Sequence, residues 1–107
     1  MSATLPIDPV VQRFRDALAE IYGARLVRVV LYGSRARGEA GPESDVNVAV
    51  FLDALPDRWA ELDRLADLRV RFLDREGVFF DARAFAAAAY GDDTPQMHDI
   101  RRDGLDL

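Results

Sequence analysis

Apolar and polar residues follow one another in blocks that predict helices and strands in a defined order. The first block repeats at helical spacing. Its apolar positions are Val10 or Val11, Phe14, Leu18 and Ile21. Asp8 and Pro9 suit the beginning of a helix, and Gly23 suits its end. The pattern therefore predicts an amphipathic helix that packs on a sheet.

Two β-branched segments follow and predict neighbouring strands. Residues 26–32 are almost continuously apolar, which is typical of a central strand buried on both faces. From Val46 to Phe51, valines alternate with other residues at a period of two. The same period places Asp45 and Asn47 on one face of the second strand, so both polar side chains point to one space.

A longer helix is predicted from Arg58 to Arg75, before Gly77 ends it. It would cross between two strands. Its apolar residues form a wide arc that we expect to face the core. They are Trp59, Leu62, Leu65, Ala66, Leu68, Phe72 and Leu73.

Residues 78–83 predict a third strand, and their parity places Phe79, Asp81 and Arg83 on one face. A short helix is expected near residues 96–102, followed by a tail without an assigned element. The order of elements predicts one α/β or α+β domain over residues 1–107, with helices packed against a small mixed sheet.

Composition removes several classes of protein. Half of the 107 residues are hydrophobic, and no apolar run is long enough to span a bilayer. With no secretory signal pattern at the amino terminus, we expect a cytoplasmic protein without a membrane partner. The absence of cysteine excludes disulfides and thiolate sites within the chain.

Charge argues against a general nucleic-acid binder. All 14 basic residues are arginine, 19 residues are acidic, and the net charge is −5. Nucleic acid is therefore a disfavoured partner. Arginine forks can still grip phosphate locally.

The segment from Gly33 to Asn47 carries the candidate chemistry. A Gly33-Ser34 turn after a strand lets backbone N–H groups approach phosphate oxygens, and two nearby arginines, Arg35 and Arg37, could clamp them. Asp45 and Asn47 can offer two oxygens to a hard cation.

Asp81 on a neighbouring strand could complete this metal site or take a proton from the nucleophile. Each of these features has a structural alternative. Glycine and serine are common in tight turns, surface arginines are common, and Asp81 could simply pair with Arg83.

In combination, these residues resemble the minimal nucleotidyltransferases of the DNA polymerase β superfamily. The hallmark there is Gly-Ser, ten intervening residues and Asp-x-Asp, with a third acid on a later strand. Gly33-Ser34 precedes Asp45-Val46-Asn47 at that spacing, and Phe79-Phe80-Asp81 matches the third-acid strand. The resemblance covers roughly the whole chain.

The resemblance implies Mg²⁺ bound by Asp45, Asn47 and Asp81, and ATP or another NTP held at Gly33 and Ser34. It also implies transfer of a nucleoside monophosphate to a hydroxyl. Members of this size are often antitoxins that act on a HEPN-domain ribonuclease toxin, in some cases by adding AMP to a toxin tyrosine. Such a toxin is the partner that the resemblance implies.

Asn47 departs from the family pattern, because an amide oxygen ligates Mg²⁺ without bringing a charge. Two hypotheses follow. The chain is a nucleotidyltransferase with activity impaired at the second metal, or it is an inactive nucleotide-binding or antitoxin module that neutralises a partner by direct binding. In either case, we expect a partner or a second copy in a homodimer to complete the acceptor site.

Overall fold

The computed structural model describes residues 9–33, 36 and 45–107 of the chain. Within them, four strands form one sheet in the order β3-β2-β1-β4. The strands are β1, Leu26–Tyr32; β2, Val46–Leu52; β3, Phe80–Ala86; and β4, Leu105–Asp106. β1 is antiparallel to β2 and to β4, while β2 and β3 are parallel, so the sheet is mixed as predicted.

Three α-helices cover this sheet. They are α1, Pro9–Tyr22; α2, Arg58–Glu76; and α3, Pro95–Asp103. The sequence-based ends of the first two helices are confirmed to within one residue. Proline at the first position opens α1. At α2, the carboxylate of Asp57 accepts a hydrogen bond from the Ala60 N–H, and Gly77 ends the helix with a positive φ of 71°.

The core has one cluster on each face of the sheet. On the first face, α1 and α2 pack on the larger cluster, in which the rings of Phe14 and Phe80 stack 4.0 Å apart. On the second face, α3 buries Met97 and Ile100 against Phe51. Ile21, expected on the apolar face of α1, is 38 % exposed.

The predicted apolar arc of α2 is wrong in part. Leu65 and Leu68 are buried as expected, but Trp59, Leu62 and Leu73 face solvent. The buried stripe of α2 is narrower because a helix on one face of a sheet buries only the residues directly above the strands. A sequence window of apolar residues does not reveal that width.

The third strand begins two residues later and ends three residues later than predicted, because its pairing with β2 runs from Val46 opposite Phe80 to Leu52 opposite Ala86. Its predicted parity is confirmed. The carboxy-terminal tail, to which the sequence assigned no element, contributes β4 by pairing Leu105 with Leu31 and Asp106 with Val30. Such a short strand depends on its neighbour rather than on its own pattern.

None of the helices in the described part of the chain is both long and apolar enough to cross a lipid bilayer.

Candidate active site

The end of β1 and the beginnings of β2 and β3 meet at one edge of the sheet. There, Asn47 is the register partner of Tyr32 on one side and of Asp81 on the other. Alternation along each strand puts all three side chains on the face that α3 covers. The two polar residues that the sequence singled out on separate strands are therefore neighbours.

Gly33 lies directly against Asn47. Its φ is +83°, and a Cβ atom at this position would come within 2.6 Å of Asn47 Nδ2. Both the backbone conformation and the available space thus require glycine. The Gly33 carbonyl accepts a hydrogen bond of 3.1 Å from the Ala36 N–H, so the chain turns immediately after β1.

Asp81 lies between two arginines. Its Oδ1 atom is 3.5 Å from Arg83 Nε, two residues along the same strand, and 4.0 Å from Arg69 Nη1 on α2. The Asp81 side chain is 28 % exposed, so it stays accessible from solvent. Both interpretations of Asp81 from sequence are compatible with this position, since the carboxylate pairs with Arg83 and also adjoins Asn47.

Asp45 stands exposed just before β2, two residues from Asn47. The pairing of β2 with β3 begins beside Asp45, where the Val46 N–H donates a hydrogen bond of 3.0 Å to the Phe79 carbonyl. No group of three Asp, Glu, His or Cys side chains suited to a metal occurs among the described residues. At this edge, the donor set is two carboxylates and one amide, all of which offer the oxygen ligands that Mg²⁺ prefers.

Tyr32 closes the site on the α3 side. It packs against the cluster of Val30, Ala49, Phe51, Met97 and Ile100. Burial raises the pKa of its hydroxyl above the usual value, the charge of Arg83 opposes that rise, and Asp81 adds to it. The pKa of Tyr32 is also lowered by a hydrogen bond with Gln96 of α3. Tyr32 both packs and borders the polar site.

The structure brings together Gly33, Asn47 and Asp81 from the sequence-predicted site. Asp45 precedes Asn47 by two residues. Ser34, Arg35 and Arg37, predicted to hold phosphate, lie outside the described residues. Arg69 and Gln96 carry no signal in the sequence, because residues on helices come to the site only through tertiary packing.

A separate cleft of about 360 Å³ lies between α1 and α2, lined by Arg13, Ala17, Leu68, Phe72 and neighbouring charged residues. It is on the opposite face of the sheet from Asn47 and Asp81. The bidentate Arg13–Glu76 pair, at 2.9 and 2.7 Å, closes one side of it. This cleft takes no part in the candidate site.

Comparison with known proteins identifies the family of this domain. The model of the nucleotidyltransferase domain family matches residues 11–100, which include every described residue of the site. The same span also contains Ser34, Arg35 and Arg37.

Three curated relatives, all from Methanocaldococcus jannaschii, are provisionally named protein adenylyltransferases. MJ0604 is 31% identical over 72 residues, which cover 67% of this chain and 66% of the relative. MJ1305 is 32% identical over 75 residues, covering 67% and 50%, respectively. For MJ0141 the identity is 35% over 52 residues, covering 49% and 52%. The chain thus spans about half to two thirds of the length of these relatives.

Solved structures share the fold at low identity. A toxin–antitoxin crystallised with AMP-PNP superposes with a TM-score of 0.62 at 17% identity, covering 89% of this chain and 70% of that chain. A mutant of the toxin–antitoxin MntA-HpeT gives 0.63 at 16% identity, with the same coverage. The sheet order, the convergence of Gly33, Asn47 and Asp81, and the match over most of its length show that this chain belongs to the nucleotidyltransferase domain family.

Proposed function

We propose that this protein transfers a nucleoside monophosphate, with AMP as the first candidate, from an NTP to a hydroxyl group. Asp45, Asn47 and Asp81 would hold Mg²⁺. Gly33 and Ser34 would bind the triphosphate, with Arg35 and Arg37 as phosphate clamps. The acceptor hydroxyl would attack the α-phosphorus in line, and diphosphate would leave.

The observation that carries this proposal is the convergence at one sheet edge of a glycine turn and two oxygen-bearing side chains. Asn47 faces Asp81 in the β2–β3 register, and the Gly33 backbone approaches Asn47 too closely for any Cβ. A backbone without a Cβ atom lets a phosphate come close enough to accept hydrogen bonds from backbone N–H groups.

The residues at this edge fit Mg²⁺ by their chemistry. Two carboxylates and an amide oxygen are hard ligands, and the bound ion would polarise the phosphate oxygens and neutralise their charge. Because Asn47 brings no charge, a second divalent ion would face two carboxylates rather than three.

Two arginines stand beside the Asp81 carboxylate and orient it. Arg83 and Arg69 stand 3.5 and 4.0 Å from its Oδ1 atom. An ionised Asp81 can ligate the metal or accept the proton of the attacking hydroxyl at one of its oxygens. Tyr32 and Gln96 border the same space and limit access from the α3 side.

A protein hydroxyl is the acceptor that we favour. The curated relatives bear the name protein adenylyltransferase, and two of the similar folds come from toxin–antitoxin structures. We therefore propose a tyrosine of a HEPN-domain toxin as the acceptor and the toxin as the partner. The partner would complete the acceptor side of the site.

A second candidate function is a nucleotide-binding antitoxin that neutralises its partner by direct binding alone. Asn47 favours it, since the neutral amide stands where two-metal chemistry prefers a carboxylate and is packed against Gly33. In that case, the pocket would bind nucleotide without transferring it.

Transfer of labelled AMP from ATP to a HEPN-domain protein tests the choice between the two. We expect Asn47→Asp to transfer label at least about tenfold faster than the parent chain, because it adds a charged metal ligand. The exposed Asp53, just beyond the other end of β2, supplies the matched control Asp53→Asn, which should leave the rate unchanged. If Asn47→Asp binds Mg-ATP but transfers no label, the proposed reaction is wrong.

A further inference from the structure

A line of apolar side chains runs along the solvent side of α2. Trp59 is 75 % exposed, Leu62 52 %, Val70 64 % and Leu73 47 %. Together with Ala66 these residues are spaced three, four, four and three apart, which aligns them on one helical face. We call Trp59, Leu62, Ala66, Val70 and Leu73 the outer stripe.

The outer stripe is separate from the face of α2 that packs on the sheet. The buried positions are Glu61, Leu65 and Leu68, with Phe72 half-buried. At about 100° per residue, the two faces are centred roughly 130° apart around the helix axis. Core packing therefore does not explain the outer stripe, and exposed contiguous apolar area of this kind marks an interaction surface.

Opposite charges flank the outer stripe on its two sides. Arg58 lies on one side, and Asp63 and Asp74 lie on the other. None of these three has an ion-pair partner in the described part of the chain. Arg69 lies on the side of Arg58 but reaches Asp81 of its own chain, which leaves Arg58 as the arginine on this side that can pair with another chain.

Arg58 and Asp63 are five residues apart, on opposite sides of the stripe, and cannot meet within one helix. Five residues is the spacing at which flanking charges pair between two parallel helices that share an apolar seam. In an antiparallel pair, the acidic side would instead face itself and bring Asp63 near Asp67 of the other helix. The charges thus complement a second copy in the parallel orientation.

We propose that the outer stripe is a self-association surface, on which the α2 helices of two copies pack in parallel around a two-fold axis. Arg58 of each copy then pairs with Asp63 of the other, as an isologous interface requires. The spacing repeats after eleven residues, from Trp59 to Val70 and from Leu62 to Leu73, so the seam runs nearly straight along the helix.

A parallel pair has a consequence for the candidate site. α2 leads into β3, so the carboxyl ends of both helices and both copies of Asp81 lie at the same end of the dimer. This inference does not depend on the proposed reaction, since it follows from α2 alone.

Sedimentation velocity, with emission from Trp59 as a second readout, tests the proposal. Trp59 is the only tryptophan in the chain, so its emission reports directly on the seam. We expect a concentration-dependent dimer and a matching blue shift as Trp59 leaves water. Leu62→Asp should weaken dimerisation at least about tenfold, the loss typical of a central interface residue. Val27→Asp is the matched control, because Val27 is 55 % exposed on β1, outside the stripe, and this variant should dimerise like the parent.

A charge exchange tests the orientation. Arg58→Asp or Asp63→Arg alone should weaken the dimer about fivefold, because each breaks two symmetric exposed pairs. The double variant Arg58→Asp with Asp63→Arg should restore it. A chain that stays monomeric with constant Trp59 emission, or that pairs through the stripe only with a different protein, overturns the proposal. So does a double variant that remains as weak as the single ones.

Discussion

At the scale of single residues, Gly33 and Asn47 form the most constrained contact of the candidate site. Gly33 combines a φ of +83° with an Asn47 nitrogen 2.6 Å from where a Cβ would stand. The residue type at one position thus fixes where the side chain at the other can lie. If nucleotide binds at this end of the sheet, adding a single methyl group at Gly33 should therefore weaken the binding.

Gly33→Ala provides that test, with Gly77→Ala as its matched control. Gly77 has a φ of +71° but nothing within 4 Å of its added Cβ. Both variants should lose about 1 to 2 kcal/mol of unfolding free energy from the left-handed backbone, measured by denaturant titration. Only Gly33→Ala forces the Asn47 amide to move, so only it should lose affinity for Mg-ATP, by about tenfold. Equal nucleotide affinity in the two variants would show that the Gly33–Asn47 contact is unrelated to the site.

The candidate site residues could be singled out in the sequence because their chemistry is local. Gly33, Asp45, Asn47 and Asp81 were singled out by residue type and spacing, and the register then placed Asn47 beside Asp81. Only some of the residues around Asp81 could be predicted from the sequence. Arg83 follows from strand parity, but Arg69 reaches the site from α2 across the β3 edge, a contact that no local pattern encodes.

At the scale of elements, a small, partly buried group of polar side chains lies at the junction of α1 and α2. Tyr22 ends α1 and is 4 % exposed, and Glu61 of α2 is 3 % exposed. Arg25 donates to Glu61 over 2.8 Å, and Arg64 stands 3.4 Å from the other Glu61 oxygen. The hydroxyl of Tyr22 has no hydrogen-bond partner among the described residues. This group lies at the far end of β1 from the candidate site.

Burial, followed by the negative charge of Glu61, raises the pKa of Tyr22 to about 12 from 10.0. The folded state therefore keeps a proton that the unfolded state loses. The stability that this pKa shift contributes is fully present below pH 10 and is lost as the pH rises towards 12. The loss is on the order of 3 kcal/mol, since one pKa unit corresponds to about 1.4 kcal/mol and the shift is about two units.

Tyr22→Phe should remove most of this dependence. The chain has no lysine or cysteine, so tyrosines dominate titration in this pH window. Unfolding free energies measured between pH 10 and 12 should fall for the parent and fall less for the variant, which keeps only the smaller contribution of Tyr32 with its raised pKa. At neutral pH the two should be similar in stability, because the lost hydroxyl satisfies no hydrogen bond. Parallel curves for both proteins would show that Tyr22 is not the group responsible.

The elements themselves could be predicted to different extents, for physical reasons. β1 was predicted with its observed bounds, Leu26–Tyr32, because a β-branched run between two glycines has few alternatives. β3 extends to Ala86 only because β2 continues beside it, and alanines have little strand preference of their own. Trp59 was expected to face the core because apolar character alone does not distinguish an outer stripe from a buried one.

At the scale of the whole molecule, the sheet separates the larger core cluster from the candidate site. One face carries α1, α2 and the larger core cluster, while the face with α3 carries Asn47, Asp81 and Tyr32. The outer stripe of α2 adds a third surface that faces away from both. The candidate site and the outer stripe therefore lie on different surfaces, so a second copy bound at the stripe would leave the site open.

The central claim is that nucleotide binds at the sheet edge where Gly33, Asn47 and Asp81 meet. Isothermal titration of Mg-ATP into the parent chain, Asp81→Asn and Asp53→Asn tests it most directly. We predict saturable binding by the parent and by Asp53→Asn, and at least about tenfold weaker binding by Asp81→Asn, the loss expected when a metal site is disturbed. Equal affinity in all three proteins, or no binding by the parent, would contradict the assignment of this edge as the nucleotide site.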